Sequence, residues 1–112
     1  LASAQRVSNL CVIVDFNKWQ ATGRSREVLA LDPLAEKFKS FGWNVHEIDG
    51  HDHLQIMDAV KGVCVTQDRP TMVVAHTVKG KGVSFMEDDN NWHYRIPTLE
   101  EVIMAKKELS VP

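Results

Sequence analysis

Three strand-like runs separated by stretches of helical periodicity constrain this chain more than any other feature of its sequence. Leu10-Cys11-Val12-Ile13-Val14 is continuously apolar, rich in β-branched residues and followed by Asp15. A run of this kind predicts a parallel strand covered on both faces. Thr71-Met72-Val73-Val74-Ala75-His76-Thr77-Val78 follows the turn Asp68-Arg69-Pro70 and carries the strongest strand signal of the three. Asn44-Val45-His46-Glu47-Ile48 alternates weakly and stops at Asp49-Gly50.

The intervening segments repeat at helical spacing. Asp32-Pro33 offers an N-cap and a first-turn proline, Leu34, Ala35, Phe38 and Phe41 then share one face, and Gly42 provides a C-terminal stop. Leu54, Met57, Val60, Val63 and Cys64 predict the buried face of a second helix. Thr98-Leu99-Glu100-Glu101 is a capping-box pattern opening a last helix with Val102, Ile103 and Leu109. Leu1 to Arg6 has helical propensity but no N-cap, as though the chain began inside a helix.

Strands alternating with helices predict an α/β fold, a parallel sheet with flanking helices and right-handed crossovers. Ligands in such sheets gather at the carboxyl ends of the strands. Three loops are thereby nominated: Asp15 to Gly23, Asp49 to His53, and Lys79 to Arg95. With 112 residues, of which 44% are hydrophobic, the chain suits one modest core and a single domain over 1–112. There is no internal repeat and no low-complexity tract.

Charge and hydropathy remove several function classes. Thirteen Lys and Arg against fifteen Asp and Glu, with no basic run, argue against a nucleic-acid partner. The longest apolar stretch, Leu10 to Val14, is far short of the roughly 20 residues of a membrane-spanning helix. With no signal-like segment at the start, the expectation is a soluble, cytoplasmic protein without a membrane partner. Cys11 and Cys64 lack ligand spacing and read as two buried, unbridged thiols.

The first loop, Asp15-Phe16-Asn17-Lys18-Trp19-Gln20-Ala21-Thr22-Gly23, places carboxylate and amide oxygens directly after a strand. Hard cations such as magnesium take oxygen ligands and often only one or two from protein. An asparagine after a strand also forms turns, the more common use. Asp49-Gly50-His51-Asp52-His53 could be read as an acid-base or metal cluster, but it suits better a turn with a helix N-cap at Asp52. Lys79-Gly80-Lys81-Gly82 lacks the Walker pattern and reads as a flexible strand exit, not a phosphate cradle. His76, inside an apolar strand, reads as a satisfied core histidine.

The ordered series Asn9 to Asn17, Phe41-Gly42-Trp43, Ile48-Asp49-Gly50-His51-Asp52, His76 to Met86 and Trp92-His93 with Pro97 resembles the transketolase family. The resemblance runs from Asn9 to Glu101 and covers the C-terminal half of the domain that binds the diphosphate of thiamine diphosphate. Each piece is weakly specific and the series highly so. In that family a motif opening with Gly-Asp-Gly closes with an asparagine, which maps onto Asn17. The resemblance implies that Asn17, through its side chain, and Trp19, through its carbonyl, bind the magnesium that carries the diphosphate. Lys18 is a lesser candidate for the diphosphate and otherwise a solvated lysine. The family's histidine beside the reacting carbons maps onto His93, and an imidazole can donate or accept a proton near neutral pH.

No Gly-Asp-Gly occurs in the chain, so the resemblance implies half a cofactor site and a single partial domain over 1–112. The expected partners are a chain or segment carrying Gly-Asp-Gly, a pyrimidine-binding domain or subunit that brings the activating glutamate, and sugar phosphate substrates. Gln20-Ala21-Thr22-Gly23 resembles the split enzymes whose halves are separate polypeptides, which implies a piece of an N-terminal subunit. The implied activity is transfer of a two-carbon ketol unit in the pentose phosphate pathway, with the isolated chain inactive. Two alternatives stay open: an α/β scaffold or regulatory module that has lost the cofactor, and another thiamine enzyme, either a deoxyxylulose phosphate synthase-like protein or a dehydrogenase subunit.

Overall fold

The structure is a computed structural model that describes residues 1–63 and 68–111. A three-stranded parallel sheet is formed by β1 (Cys11–Phe16), β4 (Asn44–Asp49) and β5 (Thr71–His76), in the order β1-β5-β4. Two-residue strands β2 (Trp19–Gln20) and β3 (Gly23–Arg24) pair as a small antiparallel hairpin after β1. The helices are α1 (Ser25–Val28), α2 (Leu34–Ser40), α3 (His53–Val63) and α4 (Leu99–Glu108), with a 3-10 turn over Asn90–His93. This is the α/β parallel sheet with flanking helices that the alternating pattern predicts.

The strongest strand signal belongs to the central strand. From Thr71 to Ala75 every residue of β5 is buried, and Met72, Val73 and Val74 are each 1% exposed. Burying side chains of this size stabilises a fold by about 1.5–3 kcal/mol apiece. One face of the sheet is closed by α2, where Phe16, Met72 and Val74 form a cluster completed by Val12, Val14, Leu31, Leu34, Phe38, Trp43 and Val45. Phe38 meets Trp43 edge to face at 5.5 Å between ring centroids.

The expectation that β1 is covered on both faces does not hold. Ile13 is paired in register with Val73, so the two side chains share a face; Val73 is buried and Ile13 is 57% exposed. β1 is an edge strand of the described sheet, and its face is open at Ile13. Cys11 is accordingly half-buried, and the expectation for Cys64 lies outside the described residues.

Helix faces differ from their sequence pattern in the same way. In α3 it is Ala59 that is buried and Ile56 half-buried, whereas Leu54, Met57 and Val60 are exposed. In α2, Phe41 falls at the C-cap and is 73% exposed. Pro33, not Asp32, occupies the N-cap of α2, and no side chain caps it. Gly42 ends that helix as predicted, with φ of +79°. Val102, Ile103 and Leu109 of the last helix are also exposed. Its capping box is present: Thr98 Oγ1 accepts the Glu101 N–H at 3.3 Å, and Glu101 Oε2 accepts the Thr98 N–H at 2.8 Å. The first residues make turn hydrogen bonds, such as Gln5 N–H to the Leu1 carbonyl at 3.0 Å, and no regular helix.

Candidate functional site

Parallel pairing brings the three nominated loops to one edge. Phe16 and Asp49 both pair with His76, so β1, β4 and β5 end at the same level. Beyond that level the loops bond to one another. The Thr77 hydroxyl donates to Asp15 Oδ1, the Gly50 N–H donates to the His76 carbonyl at 2.8 Å, and the Val78 N–H donates to His51 Nε2 at 2.8 Å. Gly50 permits this approach, because a Cβ there would overlap Thr77 Cγ2. His76 is half-exposed at the end of β5, with Nε2 3.1 Å from Glu47 Oε2 and its ring edge-on to Phe16 at 5.5 Å. It is partnered, but it lies at the carboxyl edge and not in the core.

Asp52 caps α3 as expected, its Oδ1 accepting the Leu54 and Gln55 N–H groups at 2.8 and 3.3 Å. The Gln55 side-chain amide, followed by those two backbone groups, holds the Asp52 carboxyl below the usual carboxylate range. Among the described residues no group of three His, Cys, Asp or Glu gathers as a metal cage. Of the two histidines in the Asp49 to His53 turn, His51 makes a structural contact, its Nε2 accepting the Val78 N–H.

Asn17 stands directly after β1. Its Oδ1 accepts the Trp19 N–H at 2.9 Å, an Asx turn across Lys18, which takes a φ of +68°. The turn is closed by the Ser25 N–H donating to the Lys18 carbonyl at 2.9 Å, and Trp19 then pairs with Arg24 in the hairpin. An amide oxygen has two lone pairs, so one remains on Asn17 Oδ1 after the turn bond. The turn and ligand readings of Asn17 are compatible. Side-chain and carbonyl oxygens of Asn17 and Trp19 suit part of the shell of a hard cation whose charge is balanced from elsewhere.

A third participant carried no signal in the sequence. Asp88 receives both guanidinium nitrogens of Arg24 at 2.6 Å and the Trp19 indole N–H at 2.8 Å. Arg24 also lies over the Trp19 ring, 3.7 Å from its centroid. The Arg24 guanidinium, with the Trp19 indole, holds the Asp88 carboxyl down to about 2 from its ordinary 3.8. Asp88 is 64 positions from Arg24, and an acidic pair in a polar loop is what a solvated surface looks like. Two further bonds reinforce the attachment: Asn90 Nδ2 donates to the Gln20 and Ala21 carbonyls at 3.2 and 3.1 Å.

The long loop is closed on itself and is not a loose strand exit. The Asp88 N–H donates to the Lys79 carbonyl at 2.8 Å and the Gly82 N–H to Glu87 Oε1 at 2.9 Å. Gly80, at φ of +71°, passes so near Met86 that a Cβ would lie 2.5 Å from its carbonyl oxygen. Farther on, Asp89 caps the 3-10 turn, Trp92 Nε1 donates to the Phe85 carbonyl at 3.0 Å, and Arg95 stacks on Trp92 while pairing with Glu101.

His93 ends that 3-10 turn, exposed, with its ring edge-on to Tyr94 at 4.5 Å. It makes no hydrogen bond or ring contact with Asn17 or Trp19. The structure thus joins Asn17 and Trp19 in one turn and ties the loop that carries His93 to the hairpin, leaving the imidazole open at the surface.

Comparison with known proteins accords with this geometry. The family described as transketolase, thiamine diphosphate binding domain, matches residues 1–111. A subunit of the apulose-4-phosphate transketolase of Phocaeicola vulgatus is 35% identical over 94% of this chain and 37% of its own length. The protein of the same name from Actinobacillus succinogenes is 37% identical over 96% of this chain and 39% of its own. The 6-deoxy-6-sulfo-D-fructose transketolase subunit SqwG of a Clostridium species is 41% identical over 77% of this chain and 31% of its own. The chain therefore spans well under half the length of these relatives. In fold it matches the transketolase of Campylobacter jejuni with a TM-score of 0.90 at 23% identity, over 98% of this chain and 17% of that one. Matched along nearly its whole length by the family, and sharing more than a third of its residues with relatives over most of its own span, this chain belongs to the transketolase thiamine diphosphate binding domain family.

Proposed function

We propose that this chain supplies part of the thiamine diphosphate and magnesium site of a transketolase that is complete only as an assembly. The observation that carries the reading is the turn in which Asn17 Oδ1 receives the Trp19 N–H at the carboxyl edge of a parallel sheet. Asn17, by its side chain, and the Trp19 carbonyl would hold the magnesium. Both donors are neutral, so the balancing charge comes from the diphosphate and from an acidic ligand on a Gly-Asp-Gly segment that this chain lacks. Residues 1–112 form a single partial domain, the C-terminal half of the diphosphate-binding unit.

When bound, thiamine diphosphate supplies the nucleophilic carbon that carries a two-carbon ketol unit from a ketose phosphate to an aldose phosphate. The chain's own residues do the positioning. The Asn17 turn orients the metal's oxygen donors, and the closed loop from Lys79 to Arg95 presents His93 as a proton donor or acceptor for substrate oxygens. A second domain or subunit contributes the pyrimidine side of the site. That these relatives are named as single subunits of their transketolases supports an arrangement in separate chains.

The test is calorimetry with thiamine diphosphate and magnesium on this chain and then on the chain reconstituted with its partners. Heat only in the reconstituted sample, abolished by Asn17→Ala, is the expected result. No heat in either sample would replace this reading with that of a scaffold without cofactor.

A further inference from the structure

The geometry points to Asp88 as the positioning residue of the magnesium-donor turn, acting through Trp19 and Arg24. This inference rests on the cofactor reading given above and adds to it a residue that neither the motif series nor the metal chemistry nominates.

Trp19 is gripped at two places. Its backbone N–H is bonded to Asn17 Oδ1 at 2.9 Å, and its indole Nε1–H to Asp88 Oδ1 at 2.8 Å. The Trp19 N–H lies in the peptide plane before its Cα and the carbonyl in the plane after it. Anchoring the N–H and the side chain together fixes the Cα between the two planes, and the pairing of Trp19 with Arg24 and of Gln20 with Gly23 holds the second plane. Asp88 thus acts on the orientation of the Trp19 carbonyl without touching the metal. Arg24 makes the grip stiff, because its guanidinium forks onto both Asp88 oxygens at 2.6 Å and covers the Trp19 ring at 3.7 Å. The residue paired with Trp19 in the hairpin is Arg24 itself, so the clamp spans the backbone unit that presents the donor.

Asp88 is in turn held where it is needed. Its φ of +55° is a conformation that few side chains adopt without support, and its N–H is bonded to the Lys79 carbonyl at 2.8 Å. Losing a group that orients metal ligands without binding the metal typically costs about 10- to 100-fold in metal affinity or activity.

The experiment measures the magnesium concentration that half-saturates thiamine diphosphate binding, by calorimetry on the reconstituted assembly, together with kcat at limiting and saturating magnesium. Asp88→Ala and Trp19→Phe should each raise the half-saturating concentration by about tenfold. The double variant should do little worse than either single one, because both break the same contact. Saturating magnesium should restore most of kcat, which a general loss of folding would not allow. Asp88→Asn keeps an acceptor of the same shape and is the variant to use if the alanine does not assemble; it should fall between. A half-saturation within twofold of the parent in both Asp88 variants, while Asn17→Ala shifts it strongly, would overturn the role of Asp88 and leave the cofactor site intact. If Asn17→Ala shifts nothing either, the cofactor reading itself fails and the positioning role falls with it.

Discussion

His51 Nε2 accepts the backbone N–H of Val78 at 2.8 Å, so the turn that follows β4 holds the first residues beyond β5. An acceptor at Nε2 places the ring proton on Nδ1, and the imidazole serves as a strut between two loops of the carboxyl edge. Replacing His51 by alanine leaves the Val78 N–H without its partner, a loss of about 1 kcal/mol for a hydrogen bond of this kind. Amide exchange at Val78 should accelerate by about fivefold, with much smaller changes inside β5. Unchanged exchange at Val78 would remove the strut.

His93 has a different expected phenotype from Asn17. It sits exposed at the end of the 3-10 turn, without a hydrogen bond to the Asn17 turn. In the assembled enzyme, His93→Ala should lower turnover by about 100-fold, the scale of a lost proton-transfer group. Thiamine diphosphate affinity should stay at the parent value. Titration of cofactor into the variant, set beside its turnover, checks both halves of the expectation, and parent-like turnover would take His93 out of the site.

The clamp carboxylate predicts an acid transition of defined sign. Asp88 has its pKa held down to about 2 by Arg24 and Trp19, against 3.8 in the absence of structure. A depressed carboxyl binds its proton later in the folded chain than in the unfolded one. Its contribution is therefore present in full above about pH 4 and is lost as the pH falls through about 2. Glu101, bonded to the Thr98 N–H, and Glu108, bonded to the Ser84 N–H, are displaced in the same direction. The Trp19 indole proton resonance, followed by NMR down the acid range, should move with a midpoint near 2. In Asp88→Asn that transition should vanish.

The sheet was readable because its strands announce themselves by composition. Thr71 to His76 is apolar enough to be a strand in any context, and it proves to be the central one, buried on both sides. Leu10 to Val14 was equally apolar, yet Ile13 is 57% exposed. A sequence records that a face is meant to be covered but not which segment covers it. The same holds for Leu54, Met57 and Val60 of α3 and for Phe41 after α2. Apolar spacing predicted these helices well and their buried faces poorly, since burial depends on which neighbours are present.

Asn17, Trp19 and His93 were reached through an ordered series of short motifs, each weak alone. The Asn17 turn was also legible from chemistry, because asparagine after a strand closes such turns. Asp88, Arg24 and Asn90 were not legible at all. Their partners lie 64 to 70 positions away, and nothing in the local pattern of a polar loop distinguishes a clamping carboxylate from a solvated one.

By itself the sequence determined the three parallel strands and the helices α2, α3 and α4 in their order, the caps at Asp52 and Thr98, and the turn at Asn17, all of which depend on interactions within a few residues. It showed neither the β2–β3 hairpin nor α1, and its helix over Leu1 to Arg6 is absent. The tertiary structure decided that β5 lies between β1 and β4, that three loops end at one level, and that Asp88 closes onto Trp19 and Arg24. Those outcomes depend on contacts between distant segments, whose geometry arises only when parallel pairing sets the strand ends side by side.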